Sequence, residues 1–315
     1  MRPALAILVL VPVVALAGCG GGSDEPTVLG EGSSSTTGAS LPDWVEARLV
    51  ARDGPDVALV MGTSDYGVGA NRITFLLVRD DNSIVHDSQA AVYLRRDGSD
   101  DEIETKAALV PIIPHTHPPG GGPPHADPTD IYVANVDLPD AGRYWLVAEP
   151  GGDPIQGVGA IDVREATLTP AVGAKAIPSD NPTLADEPAS EITTADPPDT
   201  DLLRHSVADS LAAGVPFVVA FATPKYCTSR TCGPTVQTVQ RVASRFASEP
   251  IRFIHVEIYE DNDPKKGVNR WVKEWSLPTE PWVFVVDRDG VIRSKFEGSV
   301  SVAELTGAVE KDLAR

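Results

Sequence analysis

The sequence predicts a chain of two folded parts, an antiparallel β-sandwich followed by an α/β domain, and three observations carry that prediction. From about residue 44 to 163, short apolar runs alternate at period two between turn residues, as in RITFLLVRDDNSIV and TDIYVANVDLPDAGRYWLVAEPGG, the pattern of half-buried strands joined by hairpins. Residues 164–200 turn acidic and Pro-rich, with Pro170, Pro178, Pro182, Pro188, Pro197 and Pro198, the composition of an extended, semi-rigid linker and so of a domain boundary. From residue 201 to 315, helical periods alternate with continuous apolar runs of strand type, which predicts a mixed sheet covered by helices.

Composition bounds the function. The chain has 315 residues, 42% of them hydrophobic, with Lys+Arg 26 against Asp+Glu 45 and a formal net charge of -19. That is room for two packed cores of ordinary size. A phosphate backbone would on average be repelled, which excludes nucleic acid as a partner.

The first element is a leader. Residues 1–18 hold one cation, Arg2, then an apolar stretch from Ala4 to Ala17, too short for a stable bilayer span and shaped like a secretory signal peptide. Leu16-Ala17-Gly18-Cys19 resembles the bacterial lipobox, which implies cleavage before Cys19 and its lipidation, with an acyl chain such as palmitate on the new amine. Residues 19–43, rich in Gly, Ser and Thr, then read as a flexible tether from the membrane. The expected location is the extracytoplasmic face of the cell membrane, held by the lipid.

Within 44–163 the breaks Asp-Asp-Asn, Asp-Gly and Pro-Asp-Ala-Gly separate the expected strands, and no segment there shows a helical period. Pro139-Asp140-Ala141-Gly142-Arg143-Tyr144-Trp145 resembles the penultimate turn of immunoglobulin-like bacterial surface modules, which implies an immunoglobulin-like sandwich. The loop PIIPHTHPPGGGPPHADP carries His115, His117 and His125. Three imidazoles are weak candidates for Cu²⁺ or Zn²⁺, but a solvated Pro/Gly-rich insertion is the favoured reading, so neither metal nor cofactor is expected.

In 201–315 each element has a reason. Thr200 is placed to cap a helix over DLLRHSVADSLAA, and Gly214 to stop it. PFVVAFA is a buried strand, PTVQTVQRVASRF a helix with Val236, Val239, Val242 and Phe246 on one face, and IRFIHVEIY a second buried strand. GVNRWVKEW is a short helix, PWVFVVD and VIRSKFEG a hairpin around Asp289-Gly290, and SVAELTGAVEKDLA a closing helix.

With Cys19 assigned to lipid, Cys227 and Cys232 remain, an even pair in an exported chain, which predicts a disulfide. Residues five apart on one helix are separated by about 7.5 Å along the axis and about 140° around it, too far to bridge comfortably. Cys227 therefore belongs to a loop and the helix begins near Cys232, as Gly233-Pro234 requires independently because Pro is tolerated in a helix's first turn. At that N-terminus the dipole and free N–H groups favour a Cys232 thiolate.

On the strand PFVVAFAT, the Cys232-Gly233-Pro234 helix start and EPWVFVVDRDG, residues 201–315 resemble the thioredoxin superfamily, most closely the membrane-tethered thiol-disulfide proteins related to TlpA and ResA. The resemblance implies a thioredoxin-like fold and a protein-disulfide oxidoreductase, with Pro281 at the family's cis-proline position facing the redox pair. Three departures stand out. The family's Cys-x-x-Cys is here Cys-x-x-x-x-Cys; its buried acid before the strand's Phe is Ala220; and Glu280 precedes the proline in place of a small or β-branched residue. Counting from Phe221 points to Cys227 as the family's first cysteine, whereas Cys-Gly-Pro points to Cys232, which is taken as the nucleophile with Cys227 resolving. Glu280 would raise a nearby thiol's pKa, while Lys225 and Arg230 would lower it.

The expected function is a thiol-disulfide exchange protein acting on thiols and disulfides of other exported proteins and recharged by an electron donor. The alternative is a non-enzymatic surface-binding lipoprotein whose Cys227–Cys232 bridge only staples the loop.

Overall fold

The computed structural model describes residues 40–51, 56–114, 127–152 and 154–313. The leader, most of the expected tether, Cys19, and His115, His117 and His125 lie outside the described residues. Among the described residues no helix is long and apolar enough to cross a membrane.

In chain order the first half comprises α1 (Asp43–Val50), β1 (Asp56–Met61), β2 (Tyr66–Gly67), β3 (Gly69–Val78), β4 (Gln89–Arg96), β5 (Glu102–Pro111), β6 (Asp130–Leu138), β7 (Gly142–Pro150) and β8 (Gln156–Arg164). Strands β1-β3-β6-β5-β4-β7-β8 follow one another as neighbours, and β8 pairs back onto β1 in parallel, Val57 opposite Gly157. The sheet thus closes into a seven-stranded barrel, with the two-residue β2 added along the end of β8.

The expected fold, an immunoglobulin-like sandwich followed by an α/β thioredoxin-like domain, is corrected by this pairing to a closed barrel followed by a separate four-stranded sheet. Period-two alternation is the same in a sandwich and in a barrel; closure rests on one long-range contact between first and last strands. Gly157 permits that contact, since a Cβ there would lie 2.5 Å from Leu77 Cδ2 and 3.1 Å from Leu59 Cβ. Inside the barrel Ile73, Phe75, Leu77, Leu94 and Leu146 are fully buried, and Phe75 stacks on Tyr132 at 5.3 Å. The helix α1, which no periodicity announced, lays Val45 on Trp145, Val147 and Ala160, so that β7 is buried on both faces.

The second half comprises α2 (Ala189–Ile192), α3 (Val207–Ala212), β9 (Phe217–Phe221), α4 (Cys232–Arg245), β10 (Arg252–Val256), α5 (Arg270–Glu274), β11 (Trp282–Val286), β12 (Ile292–Glu297) and α6 (Val302–Asp312). The sheet order is β10-β9-β11-β12, with β10 parallel to β9 and β11 antiparallel to both β9 and β12. Both faces are covered, Val218, Ala220, Val283 and Val285 by α4 and α6, and Phe217, Val219, Phe221 and Phe284 by Trp275 and its neighbours. That is why these strands read as unbroken apolar runs. The single helix expected after Thr200 is instead a 3₁₀ turn, Thr200–Leu203, and α3, because Ser206 caps a new start by accepting the Asp209 N–H at 3.0 Å.

The Pro-rich segment is packed. The buried Asp65 carboxylate of the barrel accepts from Leu168 N at 2.8 Å, Thr169 N at 3.0 Å and Thr169 Oγ1 at 2.8 Å. Farther along, Gly173 N donates to Ile292 O, Ser179 Oγ to Glu274, and Thr194 N to Glu257. Barrel and sheet also meet directly where Glu297, at the end of β12, accepts from Ser64 N, Ser64 Oγ and Asp65 N at 2.8, 2.7 and 3.0 Å. Gly298 follows at φ +69°, where a Cβ would lie 2.5 Å from Gly62 O.

Candidate active site

The site forms where the loop after β9 turns into α4. Thr231 precedes the helix, Cys232 is its first residue, and Pro234 sits in the first turn, where its missing N–H costs nothing. Cys227 lies in the preceding loop and its sulfur accepts the Cys232 backbone N–H at 3.3 Å. Ser229 Oγ approaches the same sulfur at 3.2 Å and continues to Thr231 Oγ1 at 2.8 Å. Both cysteines are free, so the expected bridge is open. The sulfurs of Cys227 and Cys232 and a carboxylate oxygen of Glu280 all lie within 4.8 Å of one another. The Glu280–Pro281 peptide is cis and leads directly into β11, which places Glu280 at the sheet end nearest the thiols.

The two thiols differ in the opposite sense to the sequence expectation. Cys227 is partly exposed and its pKa is lowered to about 6, chiefly by the hydrogen bond from the Cys232 thiol; burial opposes this, while Ser229 and the N–H groups of Cys232 and Thr231 reinforce it. Cys232 is fully buried and its pKa is pushed well up, first by burial, then by the bond to Cys227, the Cys227 charge and Glu280. The helix N-terminus does act on a sulfur, but the Cys232 N–H is spent on Cys227, and Cys232 itself points into the core with Val218, Ala220 and Val236.

Glu280 is raised to about 8, by burial first and then by the charges of Cys227 and Glu257. Its Oε2 is buried with no hydrogen-bond partner. The two expected tuning cations stand apart from the sulfurs: Arg230 pairs with Asp127 at 3.4 Å, and the Lys225 ammonium sits over the Tyr226 ring at 5.2 Å. Sequence reasoning missed Ser229, whose only signal is its place two residues after Cys227, and Glu257, which is buried at the end of β10. His255 is a satisfied core residue, with Nε2 at 2.9 Å from Ala222 O and Nδ1 at 3.3 Å from Thr193 Oγ1. Trp275 and Trp282 are buried in the core, and Trp271 lies at its edge, donating to Asp180 at 3.3 Å.

A cleft of about 350 Å³ opens beside the thiol loop, between it and the barrel. Met61, Leu76, Ile113 and Ile131 give it an apolar wall, and Ser229, Arg230, Thr231 and Glu280 form the opposite side. A partly exposed thiolate, a buried thiol behind it and a carboxyl group able to exchange a proton form a set suited to disulfide exchange.

No protein-family model matches the sequence, and no curated protein matches it. Among solved structures the chain is similar to a thiol:disulfide interchange protein of the thioredoxin family from Chlorobium tepidum TLS, with TM-score 0.29, 16% identity, 45% of this chain covered and 94% of that one. It is also similar to a protein described as a superoxide reductase from Thermotoga maritima, with TM-score 0.22, 12% identity and 36% and 89% covered. A third is described as a lipoprotein from Bacillus anthracis, with TM-score 0.22, 11% identity and 41% and 100% covered. Similarity at this level assigns no function by itself.

Proposed function

We propose that the protein is a membrane-anchored, extracytoplasmic thiol-disulfide exchange protein acting on other exported proteins. The observation that carries this reading is the partly exposed Cys227 sulfur, held by the Cys232 N–H at the start of α4 and backed by a second thiol within 4.8 Å. The lipobox-like Cys19 supports the anchor.

The Cys227 thiolate attacks one sulfur of a partner's disulfide; that S–S bond breaks, a Cys227–partner bond forms, and the other partner sulfur leaves with the electron pair and takes a proton from water. The Cys227 charge that helped hold Glu280 protonated is then gone, so the carboxyl loses its proton to water more readily and, as a carboxylate, accepts the Cys232 proton, which it passes to the partner's second sulfur as that sulfur leaves. Cys232 attacks Cys227 Sγ and releases the partner's second thiol. The partner gains two electrons and two protons, the pair becomes a disulfide, and an exported dithiol donor restores it by the reverse chemistry.

The test is trapping. Cys232→Ser accumulates mixed disulfides through Cys227 on non-reducing gels, identified by mass spectrometry, whereas Cys227→Ser accumulates none. If neither variant traps a partner and both merely melt at lower temperature, the pair is structural and the chain is a binding lipoprotein. A mature N-terminus other than Cys19 removes the anchor from the reading.

A further inference from the structure

The thiol centre gathers three groups that can each offer a ligand atom to a metal ion. The sulfurs of Cys227 and Cys232 and a Glu280 carboxylate oxygen converge within 4.8 Å of one another. Two carboxylate oxygens here, Glu280 Oε2 and Glu257 Oε1, are buried without a hydrogen-bond partner. Among the described residues no ion pair reaches Glu280, Arg230 being paired with Asp127 and Lys225 lying over Tyr226. Orphaned buried acceptors beside a pair of thiols are costly unless a cation joins them.

We propose that the reduced protein binds one Zn²⁺ through Cys227 Sγ, Cys232 Sγ and a Glu280 carboxylate oxygen. Zinc takes thiolate and carboxylate donors together, at about 2.3 Å and about 2.0–2.2 Å, so a tetrahedral site holds neighbouring donors about 3.5–3.8 Å apart. The observed separations, all within 4.8 Å, need a contraction of at most about 1.3 Å, and the loop position of Cys227 can supply it. Three protein donors leave the fourth position to water or to an incoming thiolate, as in zinc sites that remain open. The carboxylate selects against a soft monovalent ion such as Cu⁺, which is satisfied by two thiolates alone. Metal and disulfide exclude each other because both use the same sulfurs; zinc therefore holds the pair reduced in an oxidising compartment and withdraws it from exchange.

The experiment titrates Zn²⁺ into the reduced full chain against a chromogenic zinc chelator under anaerobic conditions, with Co²⁺ as a spectroscopic stand-in. The expected result is one Zn²⁺ per chain and a thiolate-to-Co²⁺ charge-transfer band. Binding should be lost in Cys227→Ser, in Cys232→Ser and in the oxidised chain, and weakened on the order of tenfold or more in Glu280→Ala. A variant with His115, His117 and His125 all replaced by Ala should bind as the parent does. Thermal melts without metal show that each variant is folded. The proposal is overturned if the reduced chain binds no Zn²⁺, if it binds Cu⁺ but not Zn²⁺, if Glu280→Ala binds unchanged, or if the triple His variant loses the site. Thiol exchange measured in parallel on the zinc-free protein reports on the proposed function separately.

Discussion

Arg72 of the barrel and Glu304 of α6 form a two-pronged ion pair, Nε to Oε1 at 2.9 Å and the second guanidinium nitrogen to Oε2 at 3.2 Å. The same guanidinium donates to Ser299 O at 3.0 Å, and the same carboxylate accepts the Ser301 N–H of its own capping box at 3.1 Å. One pair thus couples the barrel to the start of a helix in the second half.

Arg72→Ala is expected to cost about 2 kcal/mol near neutrality, read by urea unfolding. Burial would raise the Glu304 pKa, but Arg72 and Ser301 outweigh it and hold the carboxyl below its ordinary value of 4.5. A depressed folded pKa gives stability that is present above about 4.5 and lost as pH falls through the lower, folded value. The gap between parent and variant should therefore shrink in acid; a gap that is constant from neutrality to about pH 3 would show that Arg72 acts by packing alone.

Asp65→Ala removes a buried carboxylate that holds three donors of residues 168–169. The expected loss is about 3 kcal/mol, with faster proteolytic cleavage between residues 165 and 176 than in the parent. Unchanged cleavage there would mean that the segment is held by its other bonds.

In chelator-treated protein the rate of Cys227 alkylation should follow a titration centred at about 6. Ser229→Ala removes one of the bonds to that sulfur and should raise the midpoint by up to about one unit. Cys232 should stay unreactive in the native state. Alkylation that lands first on Cys232, mapped by peptide mass spectrometry, would contradict the burial argument.

Glu280→Gln should stabilise the metal-free protein in alkali. The folded chain keeps a proton on Glu280 up to about 8, whereas the unfolded chain loses it near 4.5. Between those values the unfolded state binds fewer protons, so the parent's stability falls as pH rises. The variant lacks that slope, and its advantage should grow from near zero at about pH 4.5 to a few kcal/mol above about pH 8. Parallel stability curves for the two proteins would refute a buried, proton-holding Glu280.

The apolar runs PFVVAFA and PWVFVVD are unambiguous in the sequence because a strand covered on both faces has no polar positions to blur its period. The start of α4 at Cys232 is equally local, set by the spacing of Cys227 from Cys232 and by Pro234 in the first turn. Barrel closure is different: alternation along 44–163 is satisfied by any two-faced sheet, and only the meeting of Val57 with Gly157 selects the barrel. The thiol roles divide the same way. That Glu280 lies beside the two sulfurs is an expectation carried by the resemblance at Pro281, whereas which sulfur is the thiolate depends on desolvation. Cys232 owns the helix N-terminus but is sealed beneath it against β9, so the burial that only tertiary packing creates outweighs the dipole, and the favourable N–H goes to Cys227.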